Sequence, residues 1–358
     1  MNVTIYGTES DSYIQVVHSI NSLLKDAGID YVFTENENLE SFLNKKISSV
    51  PAVEIDGNEI YSLKKNDHFV ADLRLLLIRL LRKNNFGKLF KIVLPTDFSE
   101  YSDTAFKYAT AIARYNKGVI IATHVYTPNI VDINGIVHTS YASERACRAK
   151  LFEFVDNYRI NSSVDISADP LVADDFLIGF PSAEISTLAK KLPADLIVMA
   201  TKAPQSFLKR WLGSTAYEVI AKTLTPVLLI PPKATNKSIK YINIAIEHPK
   251  DLDYVLSSIS WVKYIPEVVI NLIHINENLN GLKKVFDQAL EEYKDWNLRF
   301  NNIAHTNIVE ALVNLAENDD NDLLVVYHKD KAWLDSLLHK SVSKQVLGQI
   351  NAPLLIVS

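Results

Sequence analysis

Cysteine is nearly absent from this chain: Cys147 is the single one in 358 residues. That excludes an intrachain disulfide and any metal site built from several thiolates of one chain, and it fits a reducing compartment. Long apolar runs are also missing. The stretch richest in leucine, FVADLRLLLIRLLRK (69–83), is interrupted by Asp72, Arg74, Arg79 and Arg82, so it falls short of a membrane span. Its apolar residues cover most of a helix surface, and the expectation is a helix packed on two sides, against its own domain and a neighbour. The opening MNVTIYGTES lacks the charged-then-apolar pattern of a leader, which makes a cytoplasmic location the expectation. Excess charge of one sign is small: a net charge of −5 gives no long-range attraction for a polyanion, so nucleic acid is not an expected partner. Catalytic signatures are lacking too. No G-x-S-x-G elbow, HExxH, GxxxxGK phosphate loop or paired-cysteine zinc spacing occurs, so neither enzymatic chemistry nor a metal centre has positive support.

What is present is the composition of a folded chain, 48% hydrophobic and 22% charged, with a length that suggests two or three domains. An internal repeat organises it. KGVIIATHVY (117–126) resembles EVVINLIHIN (267–276), placing His124 and His274 at an offset of 150 residues. Later, ADLIVMATKA (194–203) matches NDLLVVYHKD (321–330), and TPVLLIPP (225–232) matches APLLIVS (352–358), at an offset of 127. One unit is therefore duplicated. The second copy is 23 residues shorter in its middle, where the first carries IVDINGIVHTSYASERACRAK.

In the first copy KIVLP, VIIATHVY, DLIVMAT and PVLLIPP read as buried strands, separated by segments of helical spacing: YSDTAFKYATAIARYN, YASERACRAKLFEFVDNY and SAEISTLAKKL. Strand and helix in alternation predict an α/β fold with a doubly wound parallel sheet covered on both faces. Ligands of such sheets sit beyond the carboxyl ends of the strands, which directs attention to the loops after KIVLP and DLIVMA. His124 and His274 recur at strand ends, where a histidine bonded to a neighbouring loop is the expected role rather than a metal ligand.

LPTDFSEYSDTAFKYATAIAR, ATHVY and DLIVMATKAPQSFLKRWLGSTAYEVIAKTLTPVLLIPP resemble the universal stress protein family, with residues 88–233 as one unit and 238–358 as a diverged second. The resemblance implies a five-stranded nucleotide-binding-type domain that pairs through its last strand, hence pairing of the two units within one chain, and it leaves a homodimer open. Some family members bind ATP through a motif of spaced glycines, whose backbone N–H groups approach phosphate closely. At the matching positions this chain has Ala200, Ala203 and Gly213, followed by Ser214 and Thr215. An alanine held at positive φ costs on the order of 1 kcal/mol and its methyl intrudes on the phosphate, so affinity should fall without vanishing. Asp97 matches the family's base-contacting aspartate, and Gly213, Ser214 and Thr215 its helix-start anion site. The implied ligand is ATP or another adenine nucleotide. The second copy has Tyr327, Asp330, Lys340 and Ser341 instead, with Glu247 in the place of Asp97; no nucleotide is expected there.

Residues 1–84 read as β-α-β-α-β-β-α and resemble glutaredoxin, a thioredoxin-fold family, through GIDY, SVPAVEIDGNEI and the following Ile-Tyr. The resemblance makes Pro51 a cis-proline and gives the Ser49–Pro51 backbone an edge that holds a peptide of a protein partner. The family's Cys-x-x-Cys aligns with Asp11, Ser12, Tyr13 and Ile14. Without a thiolate there is no exchange chemistry, and Asp11 is expected to cap the helix instead. The reading is a non-catalytic, stress-associated binding or regulatory protein. A purely architectural module with closed pockets and a weakly nucleotide-hydrolysing enzyme stand as alternatives.

Overall fold

The computed structural model describes residues 1–8, 10–57, 59–63, 69–128, 131–133, 136–138, 141–160, 169–201, 214–234, 238–276, 282–318, 321–327 and 352–358. The N-terminal unit runs β1 (Asn2–Tyr6), α1 (Asp11–Asp26), β2 (Val32–Asn36), α2 (Leu39–Asn44), β3 (Ala52–Ile55), β4 (Glu59–Ser62) and α3 (Phe69–Arg82). Its sheet has the order β2-β1-β3-β4, parallel between β1 and β2 and antiparallel elsewhere. The Val50–Pro51 peptide is cis, as the resemblance implied.

The helix start at α1 differs from expectation. Ser10, not Asp11, is the N-cap: its hydroxyl accepts from the Tyr13 amide at 3.3 Å. The chain enters the helix one residue earlier than a capping Asp11 would require, so Asp11 lies in the first turn and helps only through its charge near the positive helix end.

The first repeated unit contains β5 (Lys91–Pro95), α4 (Glu100–Tyr115), β6 (Val119–Tyr126), β7 (Val131–Ile133), β8 (Ile136–His138), α5 (Tyr141–Ile160), β9 (Leu171–Ile178), α6 (Pro181–Lys191), β10 (Leu196–Ala200), α7 (Ser214–Lys222) and β11 (Val227–Ile230). The second contains β12 (Tyr241–Ala245), α8 (Leu252–Ser258), β13 (Val269–Ile275), α9 (Leu282–Glu292), β14 (Leu298–Ile303), α10 (Ile308–Ala316), β15 (Leu323–Tyr327) and β16 (Leu354–Val357). The described strands of both units form one ten-stranded sheet in the order β14-β13-β12-β15-β16-β11-β10-β5-β6-β9. All its pairings are parallel except one, where β11 meets β16 antiparallel with Leu228 opposite Leu355. The last strand of each unit thus pairs with the last strand of the other. The extra residues of the first copy form the β7–β8 hairpin and the start of α5.

Two apolar layers cover the sheet because its residues alternate between faces. Ile92, Leu94, Ile120, Ala122, Ile242 and Ile244 point into one layer, Val93, Ile121, Ile197 and Leu229 into the other. The second layer continues without a break into the N-terminal unit through Leu73, Leu77, Leu80 and Leu81 of α3. This helix packs on α1 on one side and on α5 and β9 on the other, the two-sided packing its composition predicts. Within it Arg74 is only 1% exposed and donates to the carbonyls of Asp169 (3.2 Å) and Pro170, while Arg82 donates to the carbonyl of Asp174. The guanidinium groups donate to backbone carbonyls at and just before β9, the outermost described strand of the sheet.

Candidate functional site

A cavity of about 380 Å³ opens at the carboxyl ends of β5, β6 and β10, where an open parallel sheet places its ligands. The loop after β5 supplies Thr96, Asp97 and Ser99; the first turn of α4 supplies Tyr101 and Ser102; β6 supplies Thr123, His124 and Val125; α6 supplies Pro181 and Ile185; β10 supplies Met199 and Ala200; and the first turn of α7 supplies Ser214, Thr215 and Ala216. Four of the residues singled out from the sequence, Asp97, Ala200, Ser214 and Thr215, therefore line one space. Ala203 and Gly213 lie outside the described residues.

The Asp97 loop is built by its own side chains. Asp97 Oδ1 accepts from the Ser99 amide (3.1 Å), the Ser99 hydroxyl (2.6 Å) and the Ser102 hydroxyl (3.1 Å), which folds the chain into the start of α4. Thr96 Oγ1 accepts from the Phe98 amide at 3.0 Å. Phe98 has φ of 62°, costly for a bulky side chain, and stacks on His124 with ring centroids 4.4 Å apart. His124 Nδ1 lies 2.8 Å from the Thr96 carbonyl; that bond requires a proton on Nδ1, so the ring's other nitrogen is the one available toward the cavity when the imidazole is neutral. In the second copy His274 Nδ1 contacts the Ile246 carbonyl at 3.1 Å. The recurring histidine is thus tied to the neighbouring loop in both units, as expected, and among the described residues no cluster of three or more His, Cys, Asp or Glu could hold a metal ion.

Ala200 corrects one expectation. It is not among the described residues with positive φ, so the strain argued for an alanine in place of glycine does not arise there; what remains is its methyl at the cavity wall. At the other end, the first turn of α7 brings helix-start N–H groups beside the Ser214 and Thr215 hydroxyls. Phe98 and the hydroxyls of Thr96, Ser99, Ser102 and Thr123 were not picked out by sequence. Their signal was position alone, in a loop and strand end next to a recognised aspartate.

The second unit differs at the wall: Tyr327 stands where Ala200 stands and lies against Tyr254, ring centroids 5.6 Å apart; Glu247, like Asp97, is exposed. Asp330, Lys340 and Ser341 lie outside the described residues.

In the N-terminal unit the four positions that the resemblance aligns with a Cys-x-x-Cys are partly packed. Tyr13 is 3% exposed, its ring stands 2.7 Å from where a Cβ on Gly7 would lie, and its hydroxyl donates to Glu35 at 2.7 Å. Ser12 is buried, Asp11 and Ile14 are exposed, and Pro51 is buried with its Cα 3.7 Å from the same Cβ position. Nearby, Glu54 is buried between the Tyr6 hydroxyl and Lys45 Nζ, the latter at 2.5 Å. Burial pushes the Glu54 carboxyl up, but the hydrogen bonds from Lys45 and Tyr6 outweigh it and hold the carboxyl below its ordinary value. Burial and the adjoining carboxylate raise the Tyr6 phenol to about 12.

Comparison with known proteins places these features in a family. The profile described as "Universal stress protein family" matches residues 89–231 and 283–358, more than half of the chain. Two curated universal stress proteins of Methanocaldococcus jannaschii are similar: one is 27% identical over 154 residues, 40% of this chain and 95% of the relative, and the other 28% identical over 160 residues, 44% and 91%. A crystal structure of a universal stress protein from Archaeoglobus fulgidus superposes with a TM-score of 0.56 at 19% identity, covering 75% of this chain and 96% of that one, which shows a shared fold.

Proposed function

This chain belongs to the universal stress protein family, and from that premise we propose that it is a non-catalytic binding protein whose first repeated unit takes an adenine nucleoside or nucleotide. The observation that carries the reading is the cavity at the carboxyl ends of β5, β6 and β10, which gathers Asp97, Ala200, Ser214 and Thr215. A carboxylate with hydroxyl neighbours suits the donors of a base or ribose, and the start of α7 suits an anionic group. The methyl of Ala200 narrows the approach to that helix start, so affinity is modest. The second unit, with Tyr327 at the corresponding wall, serves as the pairing partner that completes the sheet.

The N-terminal unit is, in this reading, a thioredoxin-like domain of glutaredoxin type without redox chemistry. Its strand order β2-β1-β3-β4 and flanking helices support that, and Tyr13 fills the space beside the motif position. Its retained edge at Ser49–Pro51 suits a peptide of a protein partner. The whole acts in the cytoplasm as a stress-associated regulatory module; among the described residues no helix is long and apolar enough to cross a membrane.

Isothermal titration of the full chain with adenosine, AMP and ATP tests the site. Binding is expected and is lost on Asp97→Ala. A nucleotide-hydrolysis assay on the same samples is expected to show no turnover, and turnover abolished by Asp97→Ala would replace the non-catalytic reading with an enzymatic one.

A further inference from the structure

Phe180 breaks two rules of stability at once. It occupies the N-cap of α6, where a side chain that accepts a hydrogen bond is preferred, and makes no cap bond. Its ring is also 74% exposed, although burial of such a ring is a main stabilising contribution. The backbone holding it is nonetheless well fixed: the Gly179 amide donates to the Tyr126 carbonyl (3.0 Å), Thr127 Oγ1 donates to the Gly179 carbonyl (2.9 Å), and the Ala183 and Glu184 amides both donate to the Phe180 carbonyl (3.0 Å each). The next residue, Pro181, and Ile185 one turn later line the cavity, and Ile178 just before is 47% exposed.

The chain contains its own control. In the second unit, whose corresponding wall carries Tyr327, the three residues before α10 are His305, Thr306 and Asn307 rather than Ile178, Gly179 and Phe180. Asn307 does what an N-cap does: its Oδ1 accepts from the Glu310 amide at 3.4 Å. The copy without the first unit's site keeps the stabilising cap, and the copy with the cavity has an exposed ring there.

We propose that Phe180, flanked by Ile178, is a binding residue: an apolar rim at the mouth of the cavity on which a planar heteroaromatic ring of the ligand lies, the base under the reading above. The assignment rests on that reading. A rigid loop presents the ring without a large ordering cost on binding, and a base stacked on an aromatic side chain gains affinity without regard to phosphate. Phe180 therefore selects for a flat ring rather than for charge, and adenosine and ATP lose affinity equally when it is removed.

The test uses the full chain and three forms: wild type, Phe180→Asn and Phe180→Trp. Titration with adenosine and with ATP is expected to show about tenfold weaker binding of both to Phe180→Asn, and wild-type or tighter binding to Phe180→Trp. Thermal denaturation without ligand is expected to show Phe180→Asn melting higher than wild type, because asparagine supplies the cap. Weaker binding in a variant that is more stable excludes damage to the fold as the cause. Equal binding by wild type and Phe180→Asn overturns the rim assignment alone. A wild type that binds neither probe overturns the reading of the site and this assignment with it.

Discussion

At the scale of single residues, the two positions singled out by resemblance differ in what they do. In the N-terminal unit the position aligned with a thiol motif is packed. Tyr13 is almost fully buried over Gly7, so Tyr13→Ala is expected to cost about 3 kcal/mol of stability, measured by denaturant unfolding, because the ring leaves a cavity the backbone cannot fill. In the first repeated unit Asp97 holds its loop together and, under the proposed function, also contacts the ligand. Asp97→Ala removes the acceptor for Ser99 and Ser102 and is expected to cost about 1 kcal/mol of stability as well as ligand affinity. Glu54 gives a pH signature. Its folded carboxyl titrates below the ordinary value, so the unfolded chain binds more protons as the medium becomes acid. The stability it contributes is complete above the ordinary carboxylate range and declines as pH falls through that range toward the lowered value. Glu54→Gln is expected to flatten that part of the stability-against-pH curve; an unchanged slope between the two proteins contradicts the role assigned to Lys45 and Tyr6.

Among the elements, α3 decides whether the N-terminal unit is a separate bead or part of the body. Arg74 is buried against carbonyls at the start of β9, and Leu73, Leu77 and Leu81 belong to the same apolar layer as the large sheet. Arg74→Ala removes the buried donor to those carbonyls, and a loss of about 3 kcal/mol is expected. Calorimetry is expected to show one transition in the wild type and an earlier, separate transition in the variant. The helix and its two-sided packing were legible in FVADLRLLLIRLLRK, because leucine on every face admits few other arrangements. The burial of Arg74 was not: an arginine inside an apolar run looks like a solvent-facing interruption until the carbonyls it meets are known. Strands β9 and β14 escaped the reading for a related reason. LVADDFLI and LRFNNI lie toward the outside of the sheet and carry charged or amide side chains, so neither shows a continuous apolar run. Asp97 and Ser214 were legible through the family resemblance, which matches them to a base-contacting aspartate and a helix-start anion site. Phe180 was not, since its meaning depends on exposure and on a missing cap.

At the scale of the whole molecule, duplication has brought inside one chain the strand edge through which the family resemblance implies pairing. The antiparallel register of β11 and β16 uses the last strand of both units, so that edge is not open to a second chain. The two halves differ at the ends of their matching strands, one bordering a cavity lined with hydroxyls, the other carrying Tyr327 against Tyr254. Asymmetry is therefore the central claim: one chain, two copies of a fold, one ligand. The most direct test is the stoichiometry of adenosine or ATP binding to the full chain by isothermal titration, repeated on Asp97→Ala and on Glu247→Ala. One site per chain, removed by the first substitution and untouched by the second, is the expected result. Two sites per chain, or one site that survives Asp97→Ala and disappears with Glu247→Ala, contradicts it.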